Sequence, residues 1–359
     1  MVSLALNPSY ETTSGLIMAK TSSSKALNPR GKNGRGYRDI LYEVKDEVAW
    51  VTINRPRVLN AFREQSLDEM IDALRSTRED PSIACAVVTG SGDKAFSAGG
   101  DFYAMTRLTW TSAAMWNDRM QGLAMTIRGL PIPVIAMING WCMGGGHELA
   151  LWCDLAIASE NAVLGQTGAK VGACPTVGAT QYLPRIIGER LAREMIFCAR
   201  RFTAQEAVAI GLINKCVPQK DLLKETLAWC HTIKGHSPQT LRMTKKSLNF
   251  ESDLLYASWQ HGMELLAHVW GSPESLEGMN AFLEGRNADF RKFRMRNKQE
   301  LEDYLDGCAK DLNAPPSMRA AVAGKGQGKR TATPARGSLA RASTPTLPRK
   351  GGGGRKPAP

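Results

Sequence analysis

The period of apolar and polar positions changes several times along the chain, and each change marks an element. Val48-Ala-Trp-Val-Thr-Ile53 is a β-branched run halted by Arg55-Pro56, which predicts a strand. Between Gln65 and Ser76, Leu67, Met70, Ile71 and Leu74 recur at steps that share one face of a helix. Cys85 to Gly90 and Val134 to Ile138 are short apolar runs, the pattern of strands buried on both faces, and the second stops at Asn139-Gly140. Gly146 to Cys153 reads as a helix and Leu155 to Ala158 as the next strand. Strands and helices alternating in this order imply parallel pairing through helical crossovers. From Glu189 onward the period is mostly helical, with Pro238 and Pro273 as breakers. No internal repeat stands out. The pattern predicts an α/β core followed by a helical C-terminal part.

Composition and charge divide the chain further. Hydrophobic residues make up 43 % of its 359 residues, enough for a substantial core. The net charge of +12 sits at the ends: residues 314–359 hold ten Lys/Arg and no Asp/Glu, residues 1–38 contribute +5, and 39–313 are left at −3. The stretch 314–359 is rich in Gly, Pro, Ala, Ser and Thr and has too little apolar surface to offset its chain entropy, so a disordered basic tail is expected there. A similar but less extreme N-terminal extension is expected over 1–36. The tail's cations suit phosphates, but without aromatic residues for base stacking a solubilising or incidental tail is the preferred reading over nucleic-acid binding. No apolar run reaches the roughly 18 residues of a membrane span, and residues 1–20 lack the pattern of a secretory signal. The eight cysteines show no CxxC spacing, so reduced thiols, a cytoplasmic location and no metal site are expected.

Two glycine clusters carry the chemistry. Lys94-Ala-Phe-Ser-Ala-Gly-Gly-Asp101 follows a strand, and Asn139-Gly-Trp-Cys-Met-Gly-Gly-Gly-His-Glu148 joins a strand to a helix. Glycines at such junctions leave N–H groups free and let a ligand approach closely. Two N–H groups aimed at one point would hold a thioester oxygen better as it becomes an enolate. Taken singly, either cluster also reads as a tight turn. Neither fits a dinucleotide or phosphate-loop fingerprint.

In combination the chain resembles the enoyl-CoA hydratase/isomerase (crotonase) superfamily. The motifs are Ile53-Asn-Arg-Pro56 with Asn60-Ala61, the Ala-Gly-Gly-Asp turn, Pro133-Val-Ile-Ala136, the Gly144-Gly-Gly turn, Cys153-Asp154 and Phe282-Leu-Glu-Gly-Arg286. The resemblance covers about Tyr37 to Phe293. It implies an α/β fold with a crotonase (ClpP-like) ββα spiral core, placed at 37–235, and a helical trimerisation part, placed at 236–313, in homotrimers or hexamers. It implies an acyl-CoA substrate and no resident cofactor, with oxyanion-hole N–H groups at Gly100 and Gly145. Coenzyme A is expected near Arg57, Val58 and Ala98, its adenine against the Ala98 to Asp101 turn through Gly99 and Gly100.

Glu148 reads either as a helix-end charge that complements the dipole or as a general acid/base. By resemblance it matches the catalytic Glu of GGGxE. The second Glu of the hydratases is missing: Leu164-Gly-Gln-Thr-Gly168 puts Gly168 in its position, with Gln166 available to hold a water or an anion. That pattern resembles two one-carboxylate branches. One is 1,4-dihydroxy-2-naphthoyl-CoA synthase, where bicarbonate acts as base, although this chain has Cys174-Pro175-Thr176 where the synthase has its Asp, and Ile196 where it has its Trp. The other is 6-oxocyclohex-1-ene-1-carbonyl-CoA hydrolase. The preferred expectation is water addition to an unsaturated, cyclic or bulky acyl-CoA. Ring closure and a non-catalytic nucleic-acid-binding relative are the alternatives. His147 points away from Glu148's direction on a helix, and Asp101 reads as a cap or a pocket residue. Tyr103, Met105, the loop-like stretch around Trp110 and Trp116, and Tyr182 are candidates for the acyl pocket.

Overall fold

A computed structural model describes residues 36–310. The chain opens with a hairpin, β1 (Ile40–Lys45) and β2 (Val48–Ile53), followed by α1 (Glu64–Glu79) and β3 (Cys85–Gly90). β4 (Ala95–Ser97), α2 (Phe102–Met105) and α3 (Trp110–Gly129) come next, then β5 (Val134–Ile138), β6 (Trp141–Met143) and α4 (Gly145–Trp152). β7 (Leu155–Ser159) and β8 (Val163–Gly165) precede α5 (Ala179–Ile187) and α6 (Glu189–Phe197). β9 (Arg201–Thr203), α7 (Ala204–Ala209) and β10 (Lys215–Val217) lead into α8 (Leu222–Lys234), α9 (Pro238–Asp253), α10 (Tyr256–Val269), α11 (Pro273–Leu283) and α12 (Arg291–Lys310). The chain through Phe290 forms one compact unit, and α12 belongs to a second.

Two sheets divide the strands. One has the order β1-β2-β3-β5-β7-β10 and the other β4-β6-β8-β9. β3 and β4, β5 and β6, and β7 and β8 each send one strand to either sheet before a helix or turn returns the chain. This is a ββα spiral. Its core pairings are parallel, and among the described residues only β1–β2 and β8–β9 run antiparallel. Parallel strands covered on both faces need apolar residues throughout, and β3 is buried at all six positions. The expected strands at 48–53, 85–90 and 134–138 form with those bounds.

The stretch around Trp110 and Trp116 is helix, not loop. Thr109 and Ser112 cap it reciprocally. Its buried side, including Trp116, Met120, Leu123 and Ile127, packs between α1 and α10. A second departure lies after Glu189, where the short strands β9 and β10 interrupt the helices. No helix among the described residues is long and apolar enough to cross a membrane. The expected extension at 1–36 lies outside the described residues apart from Gly36, and the basic tail lies outside them entirely.

Candidate active site

The first glycine turn is held from below by a polar clamp. Asn60, left-handed at φ +55° and buried, donates from its amide nitrogen to the carbonyls of Ser91 and Ala95. Ser97 Oγ donates to Asn60 O at 2.8 Å and accepts from Gly99 N–H at 3.1 Å. Gly99 has φ +95°, a conformation that disfavours any β-carbon. A β-carbon there would also stand 3.0 Å from Gly145 N, so the two glycine turns touch. Phe62 brackets the turn, its N–H donating to Gly99 O and its carbonyl accepting from Asp101 N–H. Between those bonds, Gly100 N–H has no acceptor among the described residues.

The second turn follows β6. Gly144, at φ +52°, donates its N–H to Gly165 O and accepts Glu148 N–H at its carbonyl, both at 2.9 Å. Gly145 opens α4, and its N–H is one of the donors that a helix start leaves unpaired. Gly100 and Gly145 both line a cavity of about 80 Å³. Glu148, Gln166, Gly168 and Ala98 also line it, together with the apolar side chains of Phe62, Met105, Trp116 and Trp270. Trp270 is anchored there by its indole N–H on Asn117 Oδ1 at 3.4 Å, while Asn117 Nδ2 donates to Met263 O.

Glu148 is buried, with one carboxylate oxygen accepting Val177 N–H at 2.9 Å. Burial pushes its pKa up to about 8, and the N–H groups of Ala179 and Val177 offset only part of that rise. No second carboxylate lines the cavity. Gly168 packs so closely that a β-carbon on it would lie 2.5 Å from the Ala173 carbonyl oxygen.

Gln166 is fixed from the far side. Its amide nitrogen donates to Gly144 O at 3.3 Å and meets His147 Nδ1 at 3.1 Å. Gly144 O can only accept, which identifies the nitrogen. Since that nitrogen donates, His147 Nδ1 must be bare, and the imidazole proton sits on Nε2. Burial lowers the His147 pKa to about 4, which keeps the ring neutral. His147 is therefore no part of the cavity wall; it holds Gln166, which is.

Not every expected residue converges here. Asp101 caps α2 through Tyr103 N–H and pairs with Arg55 at 2.9 Å, away from the cavity wall. Arg57 lines a separate cavity of about 280 Å³ together with Leu59, Gly92 and Lys94, and Val58 lines neither. Tyr103 is 63 % exposed, and Tyr182 is buried edge-on against Trp259, so neither reaches the acyl pocket. Met105 and Trp116 do. Asn117, Leu266 and Trp270 carry no signal in the sequence. Asn60 belongs to the Asn60-Ala61 motif, but nothing in the pattern near Trp270 signals a pocket.

Comparison with known proteins places the chain in a family. The model of the enoyl-CoA hydratase/isomerase family matches residues 43–293. An enoyl-CoA hydratase from Bacillus anthracis is 32 % identical, covering 70 % of this chain and 99 % of its own, with a TM-score of 0.59. An enoyl-CoA hydratase from Mycobacterium avium subsp. paratuberculosis K-10 is 26 % identical, covering 70 % and 98 %, with a TM-score of 0.65. A methylmalonyl-CoA decarboxylase bound to 2-nitronate-propionyl-CoA is 29 % identical, covering 71 % and 99 %, with a TM-score of 0.64. The chain belongs to the enoyl-CoA hydratase/isomerase family, whose members act on acyl-coenzyme A thioesters. Hydratases and a decarboxylase share the fold, so the family defines the substrate class and the reaction must be argued from the site.

Proposed function

We propose that the protein adds water across the double bond of an enoyl-CoA, with Glu148 as the only proton carrier. The observation that carries this reading is one buried carboxylate facing a cavity that two acceptor-free N–H groups also line. The thioester oxygen sits between Gly100 N–H and Gly145 N–H, which form the oxyanion hole. Ionised Glu148 takes a proton from water as the water oxygen bonds to the β-carbon. The double-bond electrons move to the thioester oxygen, giving an enolate. Glu148 then returns the proton to the α-carbon.

Gln166 supports the second role of the missing carboxylate. Its nitrogen is spent on Gly144 and His147, so its oxygen is the atom left to accept a hydrogen bond from water. The Gln166 bond to Gly144 O also orients the peptide whose other end is Gly145 N–H, because a planar trans peptide points its C=O and N–H in opposite directions.

The cavity's size bears on the acyl group. About 80 Å³ is below the roughly 150 Å³ in which an apolar cavity holds benzene. A short unsaturated chain fits better than the cyclic or bulky groups that the motif resemblance favoured, unless Met105 and Met120 swing aside. The bicarbonate-dependent reading finds little support: the space beyond Gly168 is faced by the Ala173 carbonyl oxygen, an acceptor that repels an anion. Coenzyme A is assigned to the cavity beside Arg57 and Lys94, whose charges suit its phosphates. Exposed Leu248, Phe250, Leu254 and Phe282 support assembly into trimers or hexamers.

A panel of crotonyl-, cyclohexenoyl-, oxocyclohexenoyl- and succinylbenzoyl-CoA, read by product mass spectrometry, tests the reading. Crotonyl-CoA is expected to gain one water with the highest kcat/KM. Ring closure of succinylbenzoyl-CoA, or water gain by none of the four, would overturn it.

A further inference from the structure

The C-terminal end of α3 and one face of α9 enclose a cavity of about 660 Å³, lined by none of the residues of the two cavities described above. Its walls hold Arg78, Arg128, Arg242, Lys245 and Lys246 against a single carboxylate, Asp253. The region 39–313 carries a net charge of −3, so these cations gather against the balance of their surroundings.

Two of the five are committed to the fold. Buried Lys245 donates to the carbonyls of Ile127 and Ile132 at 3.0 Å and pairs with Asp154 at 2.7 Å. Arg128 bonds Ser252 Oγ and Asp253 at 2.7 and 2.8 Å. The remaining three are exposed and have no carboxylate within ion-pair distance among the described residues. Arg242 and Lys246 stand one turn apart on α9, where like charges repel unless an anion lies between them. The same wall carries Met125 and Met243, adaptable apolar side chains.

We propose that this cavity binds a small nucleotide-type anion with two or more phosphates. The phosphates would lie on Arg78, Arg242 and Lys246, and the base against the methionines. A lone carboxylate would answer one of the three cations, whereas a diphosphate presents enough oxygens for all, and arginine binds phosphate through paired N–H bonds. The volume falls in the range of small-ligand sites, roughly 300–1,000 Å³. Free nucleotides and the phosphoadenosine end of coenzyme A share this chemistry, and the test separates them.

ADP is titrated calorimetrically into the full-length protein, and coenzyme A in a parallel series. The expected result is one saturable ADP site per protomer, weakened by salt. R242E/K246E should lower ADP affinity at least about tenfold, the loss of one charged hydrogen bond or more, and leave coenzyme A affinity unchanged. R242Q/K246Q gives an intermediate loss and serves if charge reversal lowers the melting temperature. Absence of ADP binding at millimolar concentration, or equal ADP binding by the wild type and both variants, overturns the proposal. So does a variant that loses coenzyme A affinity in step with ADP affinity, since the cavity would then serve the substrate. None of these outcomes depends on whether Glu148 adds water.

Discussion

The buried carboxyl of Glu148 costs stability once it is ionised. Its folded pKa of about 8 stands above the usual carboxylate value, so its contribution to stability is full only below about pH 4 and is lost as the pH rises through 8. Glu148→Gln keeps an acceptor for Val177 N–H and removes the charge. Its melting temperature should exceed the wild type's by an amount that grows from pH 5 to pH 9, on the order of a few kcal/mol in stability at the upper end. A difference independent of pH, followed by calorimetry, would contradict the raised pKa. His147 acts through Gln166. His147→Leu leaves a buried amide donor without its acceptor, a loss of about 1–3 kcal/mol, and kcat should fall more than KM changes. His147→Asn puts an acceptor oxygen near the place of Nδ1 and should recover much of the loss; equal defects in both variants would reduce His147 to packing. Glu148 was legible in the sequence because its place in a glycine motif is local. The part played by His147 was not, because its partner is 19 residues away on another strand's end.

The elements work as a clamp for two backbone turns, and their tolerance is set by backbone contacts. A β-carbon on Gly146 would lie 2.3 Å from Ser97 O, a main-chain atom that cannot swing away. Gly146→Ala should therefore destabilise by at least about 1–3 kcal/mol and loosen both N–H donors. A denaturant midpoint equal to the wild type's would contradict the close approach of α4 to β4. Gly168→Glu offers a second test. The Ala173 carbonyl excludes its β-carbon, so the variant should lose activity and stability instead of gaining a second catalytic carboxylate. Strands with full apolar runs, such as β3 and β5, could be read from the chain because their burial leaves a continuous signal. β4, β6 and β8 have three residues each, too short to show any period, and with them the spiral repeat stayed hidden. α3 was missed because its apolar residues are spread around the helix, facing α1 on one side and α10 on another.

At the scale of the molecule, charge and function sit in different places. The residues lining the candidate site lie between Phe62 and Trp270, whereas the positive charge lies at the two ends. Removing residues 314–359, with their ten Lys/Arg, should leave kcat/KM for the enoyl thioester unchanged and weaken salt-sensitive retention on a polyanion column. A large drop in turnover would tie the tail to catalysis. Light scattering of the full-length protein should give a mass of three or six protomers. A monomer with full activity would show that the exposed apolar residues of α9 and α11 serve another purpose.

The pH dependence of kcat/KM in the wild type and in Glu148→Gln shows whether Glu148 is the base. As the ionised base of the free enzyme, Glu148 should make kcat/KM for crotonyl-CoA hydration rise about tenfold per pH unit below about pH 8 and level above it. Glu148→Gln should lower kcat/KM at least about a hundredfold and flatten the profile. Near-normal turnover in that variant, or a wild-type rate that falls as the pH rises through 8, would contradict the account.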